Sequence, residues 1–160
     1  TATLAALALL QIGGTAFRRY EYVIYQKGNE DRIALQTEHI TEGPQKGIIA
    51  NPTAAEEYAT TVRVMKKLEA LSRGGEVLPL TRNTWMFMGN YRNAAFSAWL
   101  TGVDSVTLDR LEMYYSLNPG KRPDAVWVGE KNAEYAEEFC TRLGYTGETT
   151  PDGIFLTPDE

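Results

Sequence analysis

Side chains able to catalyse a reaction are scarce in this sequence. Its 160 residues include one histidine, His39, and one cysteine, Cys140. A Ser-His-Asp unit would have to use His39 as its only base, and these two residues alone cannot complete a Cys/His zinc site. His39 stands beside Glu38 and near Glu42, and a histidine with carboxylates suits a soluble hydrolase. A partly exposed position at a strand end accounts for His39 without any site, and we favour it, so no catalytic residue and no metal are predicted.

Nucleotide cofactors and nucleic acids are disfavoured by the glycine pattern and the charge. No G-x-G-x-x-G or P-loop pattern occurs, and Gly74-Gly75 precedes a predicted strand instead of following one. The formal net charge is -5, which does not draw the surface toward phosphate groups. The sequence therefore predicts neither a nucleotide cofactor nor a nucleic-acid partner.

The aromatic residues between the middle strand and the following helix are the strongest candidate for a binding site. Their rings would line a groove after the carboxyl end of a strand, where α/β folds usually place their sites. Such a groove suits a sugar or the headgroup of a lipid-linked sugar. The alternative, which we favour, is that the rings fill the core beneath a long connection. The residues predicted to line the groove are Trp85, Asn90, Tyr91, Trp99 and Tyr114.

Hydrophobic periodicity predicts the elements that position these residues. Residues 17–26 and 32–40 are rich in aromatic and β-branched residues and predict two paired strands. Asn51, Pro52 and Thr53 are start signals for a helix that ends at Gly74. The other predicted elements are strands at 76–81, 124–129 and 154–157 and helices at 105–117 and 132–143.

Strands that alternate with helices indicate a parallel sheet covered on both faces. We therefore predict an α/β fold, a three-layer Rossmann-like sandwich with a mostly parallel sheet and the N-terminal hairpin antiparallel at one edge. A single α/β domain is predicted for residues 17–160, because this length supports one continuous core and no linker or repeat interrupts it.

The first 16 residues, TATLAALALLQIGGTA, form an uncharged apolar segment. The segment is too short to cross a bilayer by itself, since a span needs about 20 apolar residues. Three interpretations stay open: the end of a transmembrane helix, a buried helix of the soluble fold, and a signal-peptide remnant. Arg18, Arg19, Tyr20 and Tyr22 follow it, and aromatic and basic residues gather at membrane interfaces. We favour the end of a transmembrane helix, with the membrane as a partner of the chain.

Two stretches of the sequence carry a resemblance to a family of membrane proteins. One is 42–48 (EGPQKGI), followed by the helix start at 52–58. The other runs from 97–99 (SAW) through 114–119 (YYSLNP) to 121–129 (KRPDAVWVG). Together they resemble the soluble C-terminal extracytoplasmic domain of multi-pass, glycosyltransferase-like membrane proteins of Gram-positive anaerobic bacteria.

The resemblance implies an accessory role for this domain. The transferase chemistry, on lipid-linked sugars, would belong to the membrane portion of the full-length protein. The domain itself would be non-catalytic, would lie outside the cell at its membrane, and would bind a carbohydrate or an acceptor. Arg18 and Arg19 argue mildly against that placement, because basic residues beside a span usually face the cytoplasm. A structural or protein-interaction module of a membrane assembly and a soluble hydrolase using His39 remain the alternatives.

Overall fold

The computed structural model describes residues 2–24, 33–93, 103 and 106–159. The chain divides into two compact units, residues 1–58 and residues 59–160, with the boundary inside one long helix.

The first unit begins with helix α1 (Ala2–Arg19), which continues as a π-helical turn over Tyr20–Ile24. Alanine and leucine dominate its first half, and both are strong helix formers. The prediction of a strand at 17–26 is therefore wrong over 17–24, and residues 25 and 26 lie outside the described ones. Aromatic and β-branched residues form a strand only where a partner strand completes the hydrogen bonds, whereas a helix already under way simply extends.

A small antiparallel sheet in the same unit contains β1 (Glu38–His39) and β2 (Ile49–Ala50), with His39 opposite Ile49. A hairpin does involve residues 38–39 of the predicted second strand, but its partner is 49–50 and not the helical residues 17–24. The glycines at 43 and 47 adopt φ of 75° and 94°, and they let the chain reverse between the strands. This pair forms a sheet of its own and does not extend the larger sheet.

The bounds of helix α2 (Pro52–Ser72) confirm the start predicted at 51–53 and the end predicted near Gly74. The Asn51 side chain accepts a hydrogen bond from the Ala54 N–H at 2.8 Å, and Pro52 occupies the first helical position. Arg73 and Gly74, at φ of 50° and 81°, end the helix in the left-handed region.

The second unit contains the remaining helices and the larger sheet. Most predicted elements are confirmed with small shifts of their ends, while two strands were not predicted and the segment 84–88 is a 3₁₀-helix. Its elements are β3 (Glu76–Leu80), the 3₁₀-helix Thr84–Met88, β4 (Arg92–Asn93), α3 (Leu108–Leu117), β5 (Ala125–Val128), α4 (Ala133–Leu143), β6 (Tyr145–Thr150) and β7 (Gly153–Pro158).

The larger sheet has five described strands in the order β4-β3-β5-β7-β6. Strands β4, β3 and β5 are parallel, whereas β7 is antiparallel to both β5 and β6. The fold is α/β with a mixed sheet, so a mostly parallel sheet with its antiparallel strands at the N-terminus was the wrong expectation. A tight turn at Pro151-Asp152, followed by Gly153 at φ 122°, folds β7 back between β5 and β6. The unpredicted strands are β4, which has only two residues, and β6, whose exposed polar residues lack a hydrophobic pattern.

Two hydrophobic clusters contact alternate residues of β3, β5 and β7, as expected for side chains that point to opposite faces of a sheet. The α2 cluster contains Val64, Leu68, Val77, Met86, Tyr91, Ala125 and Phe155. The α3–α4 cluster includes Leu78, Leu80, Leu111, Val126, Val128, Phe139, Tyr145, Ile154 and Leu156. Apolar side chains therefore pack on both faces of the sheet.

Candidate functional site

Helix α1 presents an apolar surface to solvent. Every residue from 2 to 20 is exposed, and no charged residue occurs before Arg18. Leu10 is 73% exposed and Leu4 is 72% exposed, values that are unusual for leucine in a folded protein. The α1 apolar surface consists of Leu4, Leu7, Leu9, Leu10, Ile12 and Phe17.

Arg18 and Arg19 close this surface at the C-terminal end of α1, and exposed Tyr20 and Tyr22 follow them. Among the described residues, no helix is both long enough and apolar enough to cross a membrane. The order of apolar, basic and aromatic residues is nonetheless typical of a helix that meets a lipid interface.

The predicted aromatic groove is only partly covered by the described residues. Trp85 is half-buried in the 3₁₀-helix, where its backbone N–H donates to the Asn83 side-chain oxygen at 3.2 Å. Asn90 is exposed shortly after that helix. Trp99 lies outside the described residues.

Tyr91 is a core residue. Its side chain is 8% exposed in the α2 cluster, and its hydroxyl donates to the Met86 carbonyl oxygen. Burial raises the pKa of Tyr91 to about 12, and the negative charge of Glu69 adds to the effect. A Cβ at Gly89 would lie 2.3 Å from Cε1 of this ring, so the chain is closely fitted around it. A ring held in this way packs against its neighbours and does not present a face to a sugar.

Tyr114 lies half-buried on α3, in edge-to-face contact with Tyr115 at a centroid distance of 5.4 Å. It packs against the α3–α4 cluster, whereas Tyr91 belongs to the α2 cluster. The structure therefore brings Trp85, Asn90 and Tyr91 into one short segment but does not bring Tyr114 to them. A sequence pattern places residues near one another along the chain, and it does not show which cluster each ring joins.

His39 and Cys140 occupy different settings in the fold. His39 is exposed on β1, and the described residues contain no group of three or more His, Cys, Asp or Glu that could hold a metal ion. Cys140 is half-buried on α4, and burial raises the pKa of its thiol, with Asp159 and Glu137 adding to the effect. A raised pKa keeps the sulfur protonated, which disfavours nucleophilic chemistry.

A groove of about 460 Å³ lies beside α4, β6 and β7. Ile154 and Leu156 of β7 contribute apolar side chains to it, and Cys140 and Ala136 contribute from α4. We name this site the edge groove, because β6 is the terminal strand of the described sheet. Sequence reasoning missed it because β6 itself was not predicted.

The edge groove is open because small residues line it. A Cβ at Gly147 would lie 3.2 Å from Leu156 Cδ2 and 3.5 Å from Cys140 Sγ, so a side chain there would enter the groove. Ala133 also lines it, and the exposed carboxylates of Glu134 and Glu137 stand on its α4 side. The groove therefore combines an apolar interior with an acidic border.

An ion-pair network around Arg142 connects two helices of the second unit. Arg142 donates to Glu112 at 2.6 Å and to Glu138 at 3.0 Å, and it also pairs with Asp109. The hydrogen bonds from Arg142 lower the pKa of Glu112 below its ordinary range. Because Asp109 and Glu112 lie on α3 while Arg142 lies on α4, this network joins the two helices. The guanidinium of Arg142 is engaged by these carboxylates.

Comparison of the chain with protein-family models, curated proteins and solved structures found no match. The functional proposal therefore rests on the described geometry and on the resemblance carried by the two sequence stretches.

Proposed function

We propose that this chain is a non-catalytic accessory domain of a membrane protein, held at the lipid surface by α1. The observation that carries the proposal is the α1 apolar surface: a helix of 18 residues whose leucines are exposed and whose charges are confined to its last turn. An exposed apolar patch of this kind marks a membrane or protein contact.

The dimensions of α1 suit insertion into one side of a bilayer. A helix of this length extends roughly 27 Å, and burial of each leucine in the acyl region contributes about 1.5–3 kcal/mol. Arg18 and Arg19 would then meet the phosphate headgroups, with Tyr20 and Tyr22 at the same level. This arrangement is compatible both with a helix lying in the interface and with the end of a longer span.

The full-length protein, on this proposal, is a membrane glycosyltransferase that uses lipid-linked sugars, and this domain lies on its extracytoplasmic side. The support is the resemblance at 42–58 and at 97–129. The transfer reaction belongs to the membrane portion on this proposal, and the support for that assignment is the same resemblance.

The fold that we propose for residues 59–160 is a three-layer, Rossmann-like sandwich. Its support is the alternation of side chains between the α2 cluster and the α3–α4 cluster, which matches helices packed on both sheet faces. The proposed sandwich differs from a doubly wound fold in its antiparallel C-terminal hairpin.

A carbohydrate- or acceptor-binding role is part of the same proposal and involves Trp85, Asn90 and Trp99. Trp85 is half-buried and Asn90 is exposed, and an indole ring with a side-chain amide suits the apolar face and the hydroxyls of a sugar. NMR titration of the labelled chain with N-acetylglucosamine oligomers should shift the Trp85 indole signal, and Trp85→Ala should abolish the shifts. Unchanged indole signals at saturating sugar would remove this role.

Membrane attachment can be measured by sedimentation with lipid vesicles. We expect the chain to sediment with phosphatidylcholine vesicles and more strongly when phosphatidylglycerol is added, because Arg18 and Arg19 meet the anionic headgroups. Replacing two leucines with charged residues, Leu7→Asp with Leu10→Asp, should weaken binding by at least about tenfold, since two buried side chains are lost.

The matched control is Leu117→Asp, which changes a leucine that is 74% exposed at the end of α3. This variant should bind vesicles as the unchanged chain does. Equal loss in the control, or a chain that stays in the supernatant with every vesicle, would contradict attachment through α1.

The same leucines favour a second candidate, a protein-interaction module of a membrane assembly. Helices pair through exposed apolar stripes, and the α1 apolar surface offers one. Analytical ultracentrifugation without lipid separates the two: self-association that Leu7→Asp with Leu10→Asp abolishes, without vesicle binding, supports the interaction module and contradicts the membrane proposal.

A further inference from the structure

The edge groove adjoins β6, the terminal strand of the larger sheet within the described residues. β6 pairs with β7 on one side, and within the described residues no strand pairs with its other side. An unpaired strand edge presents N–H and C=O groups to which another strand can add. The sequence of β6, YTGETT, contains neither lysine nor proline, two residues that commonly block such addition.

The groove provides space for one side chain of an added strand. Successive side chains of a strand point to opposite faces, so every second one would project on the α4 side of β6. On that side Gly147 has no side chain and Ala133 and Ala136 are small, which opens a volume of about 460 Å³. Ile154 and Leu156 line this volume, and an apolar side chain entering it would be removed from water.

The border of the groove determines the charge of its occupant. Glu134 and Glu137 are exposed on α4, and neither forms an ion pair within the described part of the chain. A Lys or Arg of the bound strand, near its apolar side chain, would therefore form an ion pair with one of these carboxylates. A second copy of this chain fits poorly, because pairing β6 with β6 brings two acidic borders together.

We propose that β6 and the edge groove bind an extended segment of a partner protein. The segment adds to the sheet as a further strand, places an apolar side chain in the groove, and carries Lys or Arg two residues before and after it, on the same face. This inference uses no feature of α1, so it stands or fails independently of membrane attachment.

A defined peptide tests the proposal: acetyl-Thr-Lys-Thr-Val-Thr-Lys-Thr-amide, titrated into ¹⁵N-labelled protein and followed by NMR. We expect shifts of the backbone amides of residues 145–150 and of the α4 residues beside the groove. A peptide with proline on both sides of the valine should not bind, because it cannot form the backbone hydrogen bonds.

Two kinds of variant examine the groove itself. Ala133→Leu fills the groove from an exposed position and should weaken peptide binding by about tenfold. The double variant Glu134→Lys with Glu137→Lys should weaken it by a similar factor of about ten at low salt, and should favour a peptide with glutamate in place of lysine. Glu38→Lys, at an exposed position of β1, is the control for the change in net charge and should have little effect.

Three results would overturn the proposal. They are shifts confined to residues away from β6 and α4, binding that Ala133→Leu leaves unchanged, and concentration-dependent dimerisation that shifts the β6 amides in the absence of peptide. The last result would assign this edge to a second copy of the chain.

Discussion

Gly153 begins β7 at φ 122°, a backbone conformation that residues with a side chain rarely adopt. A Cβ at this position would lie 2.6 Å from Trp127 Nε1 and 2.9 Å from the Val128 carbonyl oxygen. Trp127 cannot simply move aside, because its indole N–H donates to the Asp152 carbonyl oxygen at 3.0 Å. A substitution here therefore introduces backbone strain and a steric clash together.

We predict that Gly153→Ala lowers the free energy of unfolding by about 2 kcal/mol or more, from strain and overpacking combined. Urea denaturation followed by circular dichroism measures this change. Gly120→Ala is the control, because no atom lies within 4 Å of the added Cβ. Equal stability of the two variants would contradict the clash.

At the residue scale, residue type predicts the backbone conformation of a position more readily than it predicts what its side chain packs against. The Pro-Asp-Gly turn at 151–153 follows from residue type alone, since proline fixes φ and glycine accepts positive φ. Tyr91 shows the contrary case: its residue type suits a binding surface as well as a core. Only its hydrogen bond to Met86 and its place in the α2 cluster make it a core residue.

At the scale of elements, one ion pair connects α2 to the turn between β6 and β7. Arg63 holds both carboxylate oxygens of Asp152, with Nη2 at 2.7 Å from Oδ1 and Nε at 3.0 Å from Oδ2. The Arg63 side chain is 55% exposed and that of Asp152 is 25% exposed, so water and salt screen much of the attraction. Because two hydrogen bonds hold the pair, we expect it to make a measurable but small contribution to the free energy of unfolding.

We predict a coupling energy of about 1 kcal/mol or less from the double-mutant cycle of Arg63→Gln and Asp152→Asn. The hydrogen bonds from Arg63 lower the pKa of Asp152 below its ordinary value of 3.8. The coupling should therefore be present above that value and disappear as the pH falls through the folded-state pKa. Chemical denaturation at several pH values and at low and high salt measures it, and a coupling that persists in 1 M salt would contradict a screened ion pair.

Elements were predictable from sequence where their ends carry chemical signals. Helix α2 has Asn51 and Pro52 at its start and Gly74 at its stop, and α4 ends at Gly144 with φ 68°. Strand β6 lies between Gly144 and the Pro-Asp-Gly turn, but it has no apolar alternation, because four of its six residues are exposed at the edge of the sheet. The candidate edge groove was invisible for the same reason.

At the scale of the whole molecule, strand order depends on contacts between residues distant in sequence. Strand β5, α4 and β6 follow the expected strand–helix–strand order, but β7 then occupies the position between β5 and β6. The apolar run Ile154–Leu156 explains this placement, because the interior position buries it while polar β6 tolerates the edge. Burial decides the arrangement, and burial is not a property of any one segment.

Buried and half-buried tyrosines give the stability of the second unit a common dependence on alkaline pH. Burial raises the pKa of both Tyr91 and Tyr135 to about 12, with smaller contributions from Glu69 and Glu138 respectively, and it raises the pKa of Tyr115 further. The unfolded chain releases these protons near pH 10, the ordinary tyrosine value. The stabilising contribution is therefore complete below about pH 10 and is lost as the pH rises toward the folded-state values.

We predict that the free energy of unfolding falls steeply between pH 10 and pH 12, and that phenolate absorbance at 295 nm rises together with loss of circular dichroism. Tyr135→Phe removes one titrating group, at the cost of its hydrogen bond to the Val106 carbonyl oxygen. This variant should be less stable at pH 8 by about 1 kcal/mol and should lose less stability on going to pH 12 than the unchanged chain. Tyr22→Phe, at a residue that is 64% exposed, is the matched control and should leave the pH dependence as it is. Because lysines titrate in the same range in every variant, the difference between the two phenylalanine variants isolates the buried phenol, and equal pH dependence of both would contradict its role.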